Sequence, residues 1–219
     1  RPRAAYRILR TRLLHKMHAS GWTSVAITSP GAGEGKSLTT LNLALSLAHA
    51  RAGEVFLIDL DLRSPSVFRY LGARPPFDLT RFFQGEGEPV DVFASVGPDD
   101  LAIAGSAEPT ELASELLAST RLDELLAAIP TFAADPIVLI DLPPLLVTDE
   151  ALLVAPRADA VALVVREGRT RRDGLERAKH LLDEFPLAGV ILNDATDTFA
   201  GDGYYGYAGK YGPAPAAKS

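Results

Sequence analysis

"SPGAGEGKS", residues 29–37, decides the fold. It joins a short β-branched apolar run, "TSVAITS" (23–29), to a strongly helical one, "SLTTLNLALSLAHA" (37–50), and a phosphate-binding loop requires that strand–turn–helix setting. The stretch ends in the Gly-Lys-Ser of a Walker A loop, with Pro30 where the consensus has its first glycine. Gly31, Gly33 and Gly35 let the backbone curl so that successive N–H groups converge on phosphate oxygens. Ala32, Glu34 and Leu38 complete the expected nucleotide-contacting run. Lys36 adds a positive charge over the β- and γ-phosphates, the Ser37 hydroxyl suits a Mg²⁺ ligand, and the N-terminus of the following helix favours the anion.

Outward from the loop, near-continuous apolar runs alternate with helical ones. "EVFLIDLDL" (54–62), "PIVLIDLPP" (136–144), "DAVALVVRE" (159–167) and "AGVILND" (188–194) read as further strands. "ELASELLASTRLDELLAAI" (111–129), broken near Ser119, and "RRDGLERAKHLLDEF" (171–185) read as helices. The pattern predicts an α/β domain with a doubly wound, mostly parallel sheet of the P-loop NTPase type, covered by helices on both faces. The expected organisation is a basic N-terminal helix over 1–20, a P-loop domain over 21–193 and a disordered tail over 194–219. That tail has no Leu, Ile or Val but five glycines, and it holds Tyr204, Tyr205, Tyr207 and Tyr211 of the chain's six tyrosines.

Two of these strands end in aspartate. Asp59 and Asp61 stand two apart on one side of an extended chain, and Asp141 closes a Walker B run. In an open parallel sheet the carboxyl ends of the strands share one edge, so Lys36, Ser37, Asp59, Asp61 and Asp141 are expected to converge on one Mg-nucleotide site. Asp59 and Asp61 are the candidates for a base facing a phenol, whichever of the two is not used holding the metal.

The bulk numbers bound the rest. A chain of 219 residues, 47% of them hydrophobic, can bury one large core. The net charge of −6 excludes whole-surface binding to nucleic acid, yet residues 1–33 carry six Lys/Arg and no acid, leaving 16 basic against 28 acidic residues elsewhere. Such a basic segment reads as a juxtamembrane or partner-facing element, or as a solvated helix face. There is no cysteine and no apolar run of the roughly 18 residues a membrane span needs. The chain begins at Arg1 without a methionine and reads as a piece of a longer protein. Arg166, Arg169, Arg171, Arg172 and Arg177 form a basic run that reads as a solvated face or a subunit contact.

These motifs resemble the cytoplasmic domain of the bacterial tyrosine kinases that regulate capsule and exopolysaccharide export. "YRILRTRL" (6–13) is similar to the family's N-terminal helix, "SPGAGEGKSLTTLNLALSLA" (29–48) to its Walker A segment, and "FLIDLDLRSP" (56–65) to the additional A′ motif that marks it. "IVLIDLPPLLVTDEALLVAPRADAVALVV" (137–165) resembles its Walker B region, "GVILND" (189–194) the strand before its tail, and "YYGYAGKY" (204–211) its phosphoacceptor cluster. The resemblance implies an ATP- and Mg²⁺-dependent protein-tyrosine autokinase at the inner face of the cell membrane. Its catalytic residues would be Lys36, Asp59, Asp61 and Asp141, with Ser37 and the three aspartates on the metal and Asn193 toward adenine. The implied partners are neighbouring copies of itself in a head-to-tail oligomer or ring, a fused or separate membrane polysaccharide co-polymerase, and a cognate tyrosine phosphatase. The ring-forming Glu-x-x-Arg-x-x-Arg pattern is matched at Arg7 and Arg10, but Ala4 stands where the Glu belongs. The alternative is a non-kinase ATPase or nucleotide-sensing switch subunit of the deviant Walker A type. The partition and septum-positioning members of that type carry a lysine where this chain has Gly31. The H-R-D and D-F-G elements of eukaryotic-type kinases are missing.

Overall fold

The computed structural model describes residues 2–50, 52–97 and 100–196. The four clustered tyrosines, Tyr204, Tyr205, Tyr207 and Tyr211, lie outside the described residues. A seven-stranded sheet runs in the order β3-β4-β2-β5-β1-β6-β7. Its strands are β1 (Ser24–Thr28), β2 (Glu54–Asp59), β3 (Ala94–Ser95), β4 (Leu101–Ala104), β5 (Pro136–Asp141), β6 (Ala160–Arg166) and β7 (Leu187–Asn193). All pairings are parallel except that of β3, which closes one edge antiparallel to β4.

The central strands β1, β2, β5 and β6 are near-continuously apolar because both faces are covered, whereas Val190 and Leu192 of the edge strand β7 are exposed. On one face, Val25, Ile27, Val55, Leu57, Leu139 and Val164 pack beneath α1 (Pro2–Ser20), α2 (Lys36–His49) and α3 (Val67–Leu71). The alternate residues Ala26, Phe56, Ile58, Ile140, Val161 and Leu163 face the other layer. That layer comprises α4 (Leu79–Phe83), α5 (Ala113–Leu117), α6 (Thr120–Phe132), α7 (Glu150–Val154) and α8 (Arg172–Leu181). The expected break near Ser119 falls between α5 and α6, where the Ser119 hydroxyl turns back to donate to the Leu116 carbonyl.

The basic N-terminal helix is packed as well as charged. Leu13 and Met17 of α1 are buried in the first core, and Arg10 reaches across to donate to the Ser46 carbonyl of α2 at 2.9 Å. Lys16 donates to the Leu187 carbonyl at 2.7 Å, tying α1 to the far edge of the sheet, and its ammonium lies over the Trp22 ring. Among the described residues no helix is long and apolar enough to cross a membrane.

One side chain fixes how β1 starts beside β6. Asp159 Oδ2 accepts from the backbone N–H of Thr23 and Ser24, both at 2.8 Å, and from both hydroxyls at 3.2 and 2.9 Å. Partial burial alone would raise the Asp159 pKa, but these donors outweigh it and hold the carboxyl below its usual range. A depressed folded-state pKa gives stability that is complete above the unfolded value of about 3.9 and lost as pH falls through the folded one. Asp159→Ala is therefore expected to cost about 1 kcal/mol at pH 7, a modest figure because the group is exposed. Urea titrations at a series of pH values should show the deficit shrinking below about pH 4.

Candidate active site

The strand order brings the distant motifs to one edge. In β5 and β2, Asp141 and Asp59 stand opposite each other in register, with Asp141 also level with Ile27 of β1. The phosphate loop leaves the end of β1 beside them. Its curl uses left-handed backbone at Gly33 (φ 74°) and Gly35 (φ 89°), which residues with a Cβ rarely adopt. The Walker B turn is sewn to the base of this loop. Thr28 Oγ1 donates to the Pro143 carbonyl at 2.7 Å, and the Leu145 N–H donates to the Ser29 carbonyl at 2.9 Å.

Lys36 opens α2 from beneath the loop and is almost wholly buried. Its ammonium donates to Asp61 Oδ2 at 2.7 Å and to Ser37 Oγ at 3.1 Å, and lies 3.6 Å from Asp141 Oδ2. Burial alone would lower its pKa, but the surrounding carboxylates, Asp141 first, reverse the sign and hold it above the usual lysine range. Asp141 shows the opposite balance. Complete burial pushes its carboxyl up to about 7 against the pull of Lys36. Thr40 donates to its Oδ1 at 3.4 Å, while Oδ2 is buried without any hydrogen bond.

The two aspartates of the β2 end do different work. Asp59 serves backbone: its Oδ2 accepts from the N–H groups of Ser66 and Val67 at 2.9 and 3.0 Å, capping α3, and its Oδ1 accepts from the Asp61 N–H at 3.2 Å. Burial raises its pKa in spite of those donors. Asp61 holds Lys36 with one oxygen and accepts from the Ser64 N–H at 3.1 Å with the other. A cleft of about 630 Å³ is bordered by Ser64, Pro65, Phe68, Arg69, Ser106 and Glu108, and Asp61 is linked to its rim only through the Ser64 N–H.

The remaining candidates surround the loop. Ala32 and Gly33 are exposed and Gly31 half-buried; Leu38 points outward and can offer only backbone. Asn193, at the end of β7, donates through Nδ2 to the Glu34 carbonyl at 2.9 Å. A Cβ on Gly35 would stand 2.1 Å from that nitrogen, a second reason for glycine there. The basic run was not legible as part of this site, yet Arg166 donates to the Gly33 carbonyl at 3.3 Å, and Thr170 donates to the buried Glu34 carboxylate at 2.8 Å. The one signal available in sequence was position: the run follows β6 directly, and β6 lies beside β1.

Comparison with known proteins separates phosphate-loop families that share this edge. The sequence profile of the CobQ/CobB/MinD/ParA nucleotide-binding domain matches residues 25–201. Tyrosine-protein kinase YwqD of Bacillus subtilis is 31% identical over 204 residues, covering 92% of this chain and 85% of YwqD. This chain belongs to that nucleotide-binding family and, within it, to the bacterial tyrosine-protein kinases. The kinase domain of the Escherichia coli tyrosine kinase ETK superposes on this one with a TM-score of 0.81 at 25% identity, over 94% of this chain and 80% of that one. The putative tyrosine-protein kinase EpsB of Ralstonia solanacearum is 33% identical over 95% of this chain, which spans only 27% of EpsB.

The family implies nucleotide binding, and the groups gathered at this edge fit Mg²⁺. Asp141 Oδ2 is a buried oxygen lacking a donor, and the Ser37 hydroxyl stands beside the same ammonium. Among the described residues no three carboxylate, histidine or cysteine groups are gathered into a ready cage. Mg²⁺ has little use for one, because it keeps waters and takes substrate phosphates as ligands.

The buried carboxylate carries a stability cost that can be measured. With a folded-state pKa near 7 and an unfolded one of about 3.9, Asp141 weakens the fold progressively as pH rises between those values. Asp141→Asn is expected to unfold at higher urea concentration than the wild-type protein. The advantage should grow from about pH 4 to pH 7 and stay level above, followed by circular dichroism.

Proposed function

We propose that this domain is an ATP- and Mg²⁺-dependent tyrosine autokinase whose substrate is the tyrosine cluster at 204–211 of a neighbouring copy. The observation that carries the reading is the Lys36–Asp61 pair at 2.7 Å, with Asp141 3.6 Å from the same ammonium and the other Asp61 oxygen bonded to Ser64 at the rim of the cleft. Lys36 exchanges Asp61 for the β- and γ-phosphates when ATP binds. That exchange frees the Asp61 carboxylate beside the cleft by which an extended Gly/Tyr segment enters. Asp61 then accepts the phenolic proton as the tyrosine oxygen attacks the γ-phosphorus and the bond to ADP breaks. Asp59, occupied by three backbone donors, positions the turn that carries Asp61. Ser37 and Asp141 would hold Mg²⁺, which neutralises charge on the transferring phosphoryl group, leaving Asp61 free to act as the base. Asn193 places the β7 end where the base of the nucleotide would lie.

Transfer between copies suits a chain whose last strand, β7, lies at one edge of the sheet while the cleft lies past β2 toward the other. The regulatory reading is that the domain works with a membrane polysaccharide co-polymerase, fused or separate, and is reset by a phosphatase. Support comes from the 27% coverage of EpsB, in which the matching segment is part of a longer chain.

Incubation with Mg-ATP followed by intact mass measurement and peptide mapping is expected to place phosphate on Tyr204, Tyr205, Tyr207 and Tyr211. Lys36→Met and Asp61→Asn should each lower transfer at least about 100-fold while leaving the circular dichroism spectrum unchanged. Phosphate mainly on Tyr6, Tyr70 or serine would overturn the reading. Each phosphate adds roughly −1.5 to −2 charges to an already acidic body, so analytical ultracentrifugation should find the phosphorylated protein less associated than Lys36→Met at equal concentration.

A further inference from the structure

The arginines after β6 divide by what they hold. Arg171 pairs with Asp173 at 3.0 Å and Arg172 with Glu176 at 2.9 Å, both on the outer surface of α8. Arg166 clasps Asp194 through Nε and Nη2 at 3.0 and 2.8 Å while its Nη1 reaches the Gly33 carbonyl. Arg169 has no acceptor among the described residues. Its guanidinium nevertheless lies against the phosphate loop: a Cβ on Gly33 would stand 2.8 Å from Nη2 and 3.1 Å from Cζ.

The turn that presents Arg169 is fastened to the loop it overlies. The backbone N–H groups of Arg169 and Thr170 donate to the Arg166 carbonyl at 3.2 and 3.0 Å, and the Arg166 N–H donates to Thr170 Oγ1 at 2.8 Å. Thr170 Oγ1 donates in turn to Glu34 Oε1 at 2.8 Å. An exposed guanidinium normally swings in solvent; this one is carried on a turn bonded to residue 34 and rests on residue 33. Charge gives it a reason to be there. Beneath the loop, the Lys36 ammonium is already engaged by Asp61 at 2.7 Å and lies 3.6 Å from Asp141, so its charge is shared before a polyphosphate enters. A second cation lying against the loop at Gly33 adds to that charge, and a planar fork of donors matches phosphate oxygens.

We propose that Arg169 is a phosphate-binding residue of the nucleotide site, its guanidinium donating to non-bridging oxygens of the nucleotide held by residues 31–37. The inference rests on the reading of that loop as the ATP site. It also gives Gly33 a role besides its backbone angle, since any side chain there would displace the guanidinium.

Calorimetric titration of the full chain with Mg-ATP at several salt concentrations tests this. Arg169→Ala is expected to raise Kd about tenfold or more, the loss of one charge-assisted hydrogen-bonding group. The dependence of log Kd on log salt should become shallower, because one attracting charge has gone. Arg169→Lys should restore the slope but only part of the affinity, having charge without the fork. Arg172→Ala, three residues on at the start of α8 and paired with Glu176, should match the wild-type protein. An unchanged Kd for Arg169→Ala, or a raised Kd with the wild-type salt slope, would overturn the proposal while leaving the loop reading intact. A wild-type protein that does not bind Mg-ATP would overturn both.

Discussion

Lys36 carries the positive charge that faces three buried carboxylates, and the carboxyl edge of the sheet is organised around that imbalance. Removing an ammonium and carboxylates from water is expensive, and their mutual attraction repays the cost only with good geometry. Here the repayment is incomplete. Asp141 is held up to about 7 and Asp59 is raised as well, so the site stores electrostatic strain. Two apolar layers, one on each face of the sheet, supply the stability that lets it do so. Each fully buried Val, Leu or Ile contributes about 1.5–3 kcal/mol. A few such residues offset a poorly neutralised carboxylate.

The same imbalance explains the division of labour among the aspartates. A carboxylate that accepts three backbone N–H groups is a structural element, and Asp59 shapes the turn that delivers its neighbour. Asp61 has one oxygen on backbone and the other on the mobile end of a lysine, so it can change partners without unfolding anything. Two aspartates separated by a single residue thus take different partners, one backbone and one a lysine, through their surroundings alone.

Much of this was legible in sequence. Four of the five long parallel strands appear as apolar runs because burial on both faces removes the polar alternation, the edge strand β7 is apolar despite its exposed Val190 and Leu192, and the α5–α6 break announced itself at Ser119. β3 and β4 were missed because they are two and four residues long, set among Gly, Ser and Asp, and paired only with each other and β2. α3 and α4 are single turns of five residues, below what periodicity detects. Within the site, Lys36, Ser37 and the aspartates were readable because strand ends share an edge. The different duties of Asp59 and Asp61, and the capture of the loop by Thr170 and Asn193, depend on side-chain directions that spacing does not encode.

The order of the strands also sets a schedule. β1 comes first in the chain but lies between β5 and β6, so Ser24 meets Val138 and Val25 meets Ala160, more than a hundred residues later. Contacts of such separation carry the loop-closure cost that slows folding. During synthesis the loop at 29–37 therefore emerges early with nothing on either side of its strand. Nucleotide affinity must arrive late, with the sheet's last central members, so a partly made chain has a phosphate loop in sequence but not in shape.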